Sequence, residues 1–86
     1  MTVSFYGNVQ EFTFGEKSLE IEGARSVRTL IDVLGEYFNK SFKEFLLGDD
    51  TCFFLVNGNG IIAAGGLDMP LHADDVVEVL PFVDGG

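Results

Sequence analysis

Two adjacent glycines, Gly85 and Gly86, close the sequence, and residue type at that point decides what a chain end can do. A carboxylate is a poor electrophile. It becomes an acyl donor only after activation, for example as an acyl-adenylate made from ATP, and an enzyme doing this to a protein tail has to admit the tail into its own ATP site. Glycine has no Cβ, so a Gly-Gly end fits a narrow channel and takes backbone angles closed to other residues. It also leaves the acyl carbon open to an incoming sulfur nucleophile. With 11 glycines among 86 residues, such an end arises by chance in roughly 1–2% of comparable sequences. The pattern therefore needs support from the rest of the chain.

No other group of residues competes with it. Cys52 has no basic neighbour in sequence to lower its pKa and reads as a buried structural thiol. His72 stands alone beside Asp74 and Asp75, fewer ligands than a metal site needs. Gly58-Asn59-Gly60 lacks the third glycine of a dinucleotide fingerprint and the lysine of a P-loop, so it reads as a turn. Gly65-Gly66 is internal and offers no free carboxylate. Asp74 and Asp75 fit a turn better than a catalytic pair. The chain shows no catalytic set of its own, no cofactor motif and no metal cluster.

Fourteen Asp and Glu against five Lys and Arg give a formal charge of −9. Binding to phosphate backbones depends on clustered cations, which excludes nucleic acid as the expected partner. Anionic membranes are disfavoured for the same reason. A basic protein surface is what this charge attracts. A single cysteine argues against a secreted disulfide scaffold. With neither a signal-peptide pattern nor an apolar run of about 20 residues, the expected location is the cytoplasm.

The elements that would present the terminus follow from periodicity. Val3 and Phe5 alternate with polar neighbours, and Leu19 and Ile21 share a face within Lys17–Glu22, so an N-terminal hairpin is expected, loosely connected through Asn8–Gly15. Ser26 caps a helix whose apolar residues Val27, Leu30, Ile31, Leu34 and Phe38 recur at helical spacing. Gly35 inside it costs ~1 kcal/mol relative to Ala. Ser41-x-x-Glu44 has the form of a capping box for a short helix ending at Gly48, with Phe42, Phe45 and Leu46 inward. Cys52–Val56 reads as a strand closed by the turn Asn57-Gly58-Asn59-Gly60, with Ile61-Ile62 returning. Ala63–Met69 reads as an irregular loop. Val76–Leu80 is the last strand, and Pro81 is expected to limit it. One long helix across one face of a sheet, a single α+β domain over residues 1–81, is the natural arrangement, with 82–86 as a tail.

The closing segments resemble those of the ubiquitin-like sulfur carriers, above all the small subunit of molybdopterin synthase and, more distantly, the thiamine-pathway carrier. The resemblance runs through Val56-Asn57-Gly58, Gly66-Leu67-Asp68, Pro70-Leu71, Asp75-x-Val77, Leu80-Pro81 and Val83-x-Gly85-Gly86, and the element order matches that family along nearly the whole chain. Three positions depart from it. Ala73-Asp74-Asp75 stands where Asp-Gly-Asp is usual, and Asp74 is expected to tolerate a left-handed backbone there. Phe82 replaces a second proline, and Asp84 replaces a small neutral residue.

The resemblance implies a β-grasp fold: a mixed sheet with one long helix packed on one face. It also implies a cycle. An E1-like adenylyltransferase consumes ATP to form the Gly86 acyl-adenylate, with Gly85 beside it. A persulfide donor converts this to a thiocarboxylate, and a molybdopterin synthase large subunit accepts the sulfur. The chain itself would bind no cofactor. Strand alternation places Phe54, Val56, Val77 and Val79 toward the helix and leaves Phe53, Leu55, Leu80 and Phe82 on the other face. With Val83, these are the candidate partner contacts. Other functions stay open: a protein modifier, whose activated glycine is joined to lysine and whose first steps are the same; a sulfur carrier for another pathway (thiamine, cysteine or tRNA thiolation); and an interaction domain with a coincidental tail.

Overall fold

The computed structural model describes residues 1–48 and 51–82. Alternation over β1 (Thr2–Phe5) buries Val3 and Phe5, and β2 (Ser18–Glu20) pairs with it antiparallel, Val3 opposite Leu19. The connection between them is not loose. It forms a 3-10 turn over Gly7–Glu11 that buries Val9 completely. Thr13 is buried too, its hydroxyl donating to Glu16 O at 2.8 Å. Burying one apolar residue and satisfying one hydroxyl pins a segment that composition alone presents as a loop.

Ser26 caps α1 (Val27–Tyr37) by accepting the Thr29 N–H at 3.1 Å, and Val27, Leu30, Ile31 and Leu34 face the core. The cap of α2 (Lys40–Leu47) is Asn39, not Ser41: Asn39 Oδ1 accepts the Phe42 N–H at 2.8 Å. The helix that starts one residue after Asn39 buries Phe42 and Leu46, four apart on one face, and leaves Ser41 exposed within its first turn. Gly35 marks the close approach of the two helices. A Cβ there would lie 2.7 Å from Lys43 Cβ, so the helix-propensity cost buys the contact.

β3 (Cys52–Val56) turns through Asn57-Gly58 into β4 (Asn59–Gly60). With φ of +53° and +85°, these two residues form the left-handed pair of a type I′ hairpin turn. Such a turn sets Asn59 opposite Val56 at once, so the returning strand is Asn59–Gly60 and not Ile61-Ile62. The chain then leaves the sheet, burying Ile61 and exposing Ile62, and the loop that follows contains 3-10 turns at Ile62–Ala64 and Gly66–Asp68.

β5 (Val76–Pro81) completes the sheet in the order β2-β1-β5-β3-β4, parallel to β1 and antiparallel to β3. Pro81 does not stop the pairing. It lies opposite Cys52, and the Phe82 N–H donates to Thr51 O at 3.1 Å. β1 has already ended beyond Val79, so the missing N–H falls where no strand requires it, and the ring packs against Gly7. The result is an α+β, β-grasp arrangement. Val3, Phe5, Phe54, Val56, Val77 and Val79 line the inner sheet face, and Leu30, Ile31, Leu34 and Phe42 come from the helices.

Asn57 also ties the hairpin to the start of β5. Its N–H donates to Val76 O at 2.8 Å, its Oδ1 accepts the Val76 N–H at 2.9 Å, and its Nδ2 donates to Asp75 Oδ1 at 2.9 Å. Asp75 Oδ2 accepts the His72 N–H at 2.8 Å. Asp74 is not left-handed, because Asp75 closes this turn through its own side chain. Asn57→Ala should cost about 1–2 kcal/mol, from two lost side-chain hydrogen bonds and a non-glycine residue held at positive φ without local compensation. Asn57→Gly should cost less. Urea unfolding of the two variants checks the order.

The His72 N–H, then the Asn57 amide, hold the Asp75 carboxyl below the usual aspartate range. Its contribution to stability is therefore present above the ordinary aspartate pKa and is lost as pH falls through the lowered one.

Candidate functional site

Two neighbours hold β5 in place, β1 on one side and β3 on the other, so the terminal segment starts from the central strand of the sheet. Alternation along β5 buries Val77 and Val79 completely and turns Val76, Glu78 and Leu80 to the face away from the helices. Register sets Leu80 directly opposite Phe53, and Glu78 opposite Leu55 on one side and Ser4 on the other. Phe82 follows Leu80 by two residues, tied to Thr51.

The structure therefore brings Phe53, Leu55, Leu80 and Phe82 together on one open sheet face. Phe53 is 42% and Phe82 53% exposed, so neither helix nor loop covers them. Leu55 and Leu80 are half-buried. Val83, Gly85 and Gly86 lie outside the described residues. The same face holds two residues the sequence reading did not select, Val76 (45% exposed) and Tyr6 (42% exposed). The signal for both was present, since Val76 precedes Leu80 by four positions and Tyr6 continues the outward series Thr2, Ser4. Phe53 also borders an apolar groove of about 610 Å³, walled by Leu46, Leu47, Ile61, Ile62 and Leu67.

Electrostatics sort the remaining candidates. Burial pushes the Cys52 thiol up, and its Sγ lies 3.9 Å from Leu46 O, so it is a packed thiol with no cation to activate it. His72 uses its backbone N–H to hold Asp75. Among the described residues, no group of three His, Cys, Asp or Glu side chains could hold a metal. No helix among them is long and apolar enough to cross a membrane. On the outer face, the Glu78 carboxylate beside it pushes the Tyr6 phenol up. What this arrangement offers is an apolar face with an acid at its centre, next to the strand that leads to Gly85-Gly86.

Solved structures share this fold. The chain is 27% identical to a chain of the Amycolatopsis orientalis BexX/CysO complex, with a TM-score of 0.82, covering 99% of this chain and 98% of that one. It is 25% identical to Mycobacterium tuberculosis CysO, with a TM-score of 0.83 and coverage of 95% and 98%. The small archaeal modifier protein 1 of Methanosarcina acetivorans is 27% identical, with a TM-score of 0.75 and coverage of 99% and 94%. A search of curated protein sequences gave no match. The ThiS family profile matches residues 3–86, both glycines included. The chain belongs to the ThiS family of ubiquitin-like sulfur carriers.

Proposed function

We propose that this protein carries sulfur as a thiocarboxylate on Gly86 and delivers it in the synthesis of a molybdopterin-type cofactor. An E1-like adenylyltransferase activates the Gly86 carboxylate with ATP, releasing pyrophosphate. A persulfide donor then displaces AMP, and reductive cleavage of the resulting acyl disulfide by a thiol leaves the thiocarboxylate. A molybdopterin synthase large subunit takes the sulfur. The carrier contributes the reacting end and the face that docks it, and binds no cofactor of its own.

The observation that carries this reading is the conjunction of a Gly-Gly end, matched by the family through residue 86, with an open apolar face at the base of the same strand. The similar Amycolatopsis chain, matched over its whole length, comes from a BexX/CysO complex, which supports a protein partner for this chain also. The resemblance of Leu80-Pro81 and Val83-x-Gly85-Gly86 to the molybdopterin synthase small subunit supports the acceptor. A second reading, a protein modifier, draws on the similarity to a small archaeal modifier protein.

One incubation separates them. With the adenylyltransferase, ATP and a persulfide donor, intact mass should show one oxygen replaced by one sulfur. Lysine-linked adducts in place of that shift would favour the modifier. Adding the synthase large subunit and its sulfur-free pterin precursor should return the carrier to its carboxylate. A carrier that keeps its sulfur there would rule out this acceptor.

A further inference from the structure

The basic side chains of this molecule belong to positions off its outer sheet face, whereas acids occur on both sides. Arg28 lies on α1 and Lys40 and Lys43 on α2, while Arg25 lies just before α1. Lys17 precedes β2, in register with the inward-facing Phe5. The outward positions of the sheet (Thr2, Ser4 and Tyr6; Ser18 and Glu20; Phe53 and Leu55; Val76, Glu78 and Leu80) include two acids and no cation among the described residues.

The two acids differ in setting. Glu20 sits on the edge strand, accepts the Thr2 hydroxyl and lies 4.0 Å from the Met1 ammonium. Glu78 sits on the central strand, half-buried, between Leu55 and Ser4 across the sheet and between Val76 and Leu80 along it. Among the described residues it has no ion-pair partner, and the Tyr6 phenol is the donor nearest in kind.

A partner that covers Phe53 and Leu80 must also cover Glu78. Sealing a carboxylate under apolar surface without a counter-charge costs several kcal/mol, enough to cancel the gain from the surrounding residues. We propose that Glu78 determines which adenylyltransferase this face accepts, and that the enzyme seated there presents a cationic side chain, arginine or lysine, to its carboxylate. The proposal rests on the sulfur-carrier reading and adds to it the chemistry of the partner's surface. Phe53, Leu55, Leu80 and Phe82 supply the apolar contact, and Glu78 excludes surfaces that lack the matching cation.

The test is ATP–pyrophosphate exchange by the adenylyltransferase of the same source, read against carrier concentration and salt. Glu78→Lys should raise the KM for the carrier by about tenfold or more with kcat unchanged, and Glu78→Gln, nearly the same shape, should raise it a few-fold and flatten its dependence on salt. Glu44→Lys, on exposed α2, changes the net charge equally and should leave KM within about twofold. Equal effects of Glu78→Lys and Glu44→Lys would show attraction by net charge alone and overturn the proposal. So would an unchanged KM in both Glu78 variants. Absence of exchange with the unsubstituted protein would instead refute the sulfur-carrier reading.

Discussion

A chain that stops at Gly85 will fold as the full protein does and will not be loaded with sulfur. Removing one residue draws the carboxylate back by about 3.3–3.6 Å, while acyl transfer needs reacting atoms held to about 3–3.5 Å and loses about 100-fold for a misplacement of 1 Å. The expected loss in exchange and thiocarboxylate formation is therefore about 1,000-fold or more. Stability should not follow. The last fully buried residue described is Val79, and the last backbone hydrogen bond described toward the terminus is donated by Phe82. The melting temperature of the shortened chain should stay within about 2 °C of the parent. Gly86→Val keeps the length but adds a β-branched side chain, and should fail in the same assay for the steric reason. Near-normal loading of the shortened chain would mean that the position of the Gly86 carboxylate does not govern the reaction.

Phe42→Ala should have the opposite profile, severe for the fold. Phe42 is fully buried on α2, with ring centroids 6.0 Å from Phe5, 5.4 Å from Phe12 and 5.6 Å from Phe38. It joins β1, the β1–β2 connection and both helices in a single cluster. Truncating such a residue costs about 3–5 kcal/mol, against a total of about 5–15 kcal/mol for natural domains, where small ones sit low. Urea unfolding should show most of the stability gone and unfolded chain appearing at neutral pH without denaturant. Phe53→Ala, on the open face, should shift the same curve by less than about 0.5 kcal/mol. A Phe42→Ala loss near 1 kcal/mol would mean that the cluster collapses around the gap.

The contrast between these two phenylalanines was legible in the sequence, because Cys52–Val56 alternates and Phe42 falls at helical spacing with Leu46. So was the cap at Ser26, where one candidate residue stands before a clear helical pattern. Failures arose where two local options compete. Asn39 and Ser41 are both good caps, and only the burial of Phe42 and Leu46 chooses Asn39. Ile61-Ile62 has the better strand propensity, yet the two-residue turn at Asn57-Gly58 assigns the pairing to Asn59–Gly60. Pro81 looked like a stop because sequence does not reveal which edge of the strand lacks a neighbour. Val76 and Tyr6 follow from the same alternation that places Leu80 and Ser4 outward, whereas Glu78 gained meaning only when register set it between Leu55 and Ser4, away from the cations.

Synthesis order and sheet order run against each other in this molecule. The strand made last, β5, is the middle one, and Thr2 finds its partner only at Val76. A nascent chain lacking β5 has nothing between β1 and β3, so the sheet cannot close and the helices have no complete surface to pack on. Prematurely terminated products therefore offer neither a folded docking face nor the terminus. Any partner that docks on this face would therefore meet it only on chains whose translation has run through the last strand.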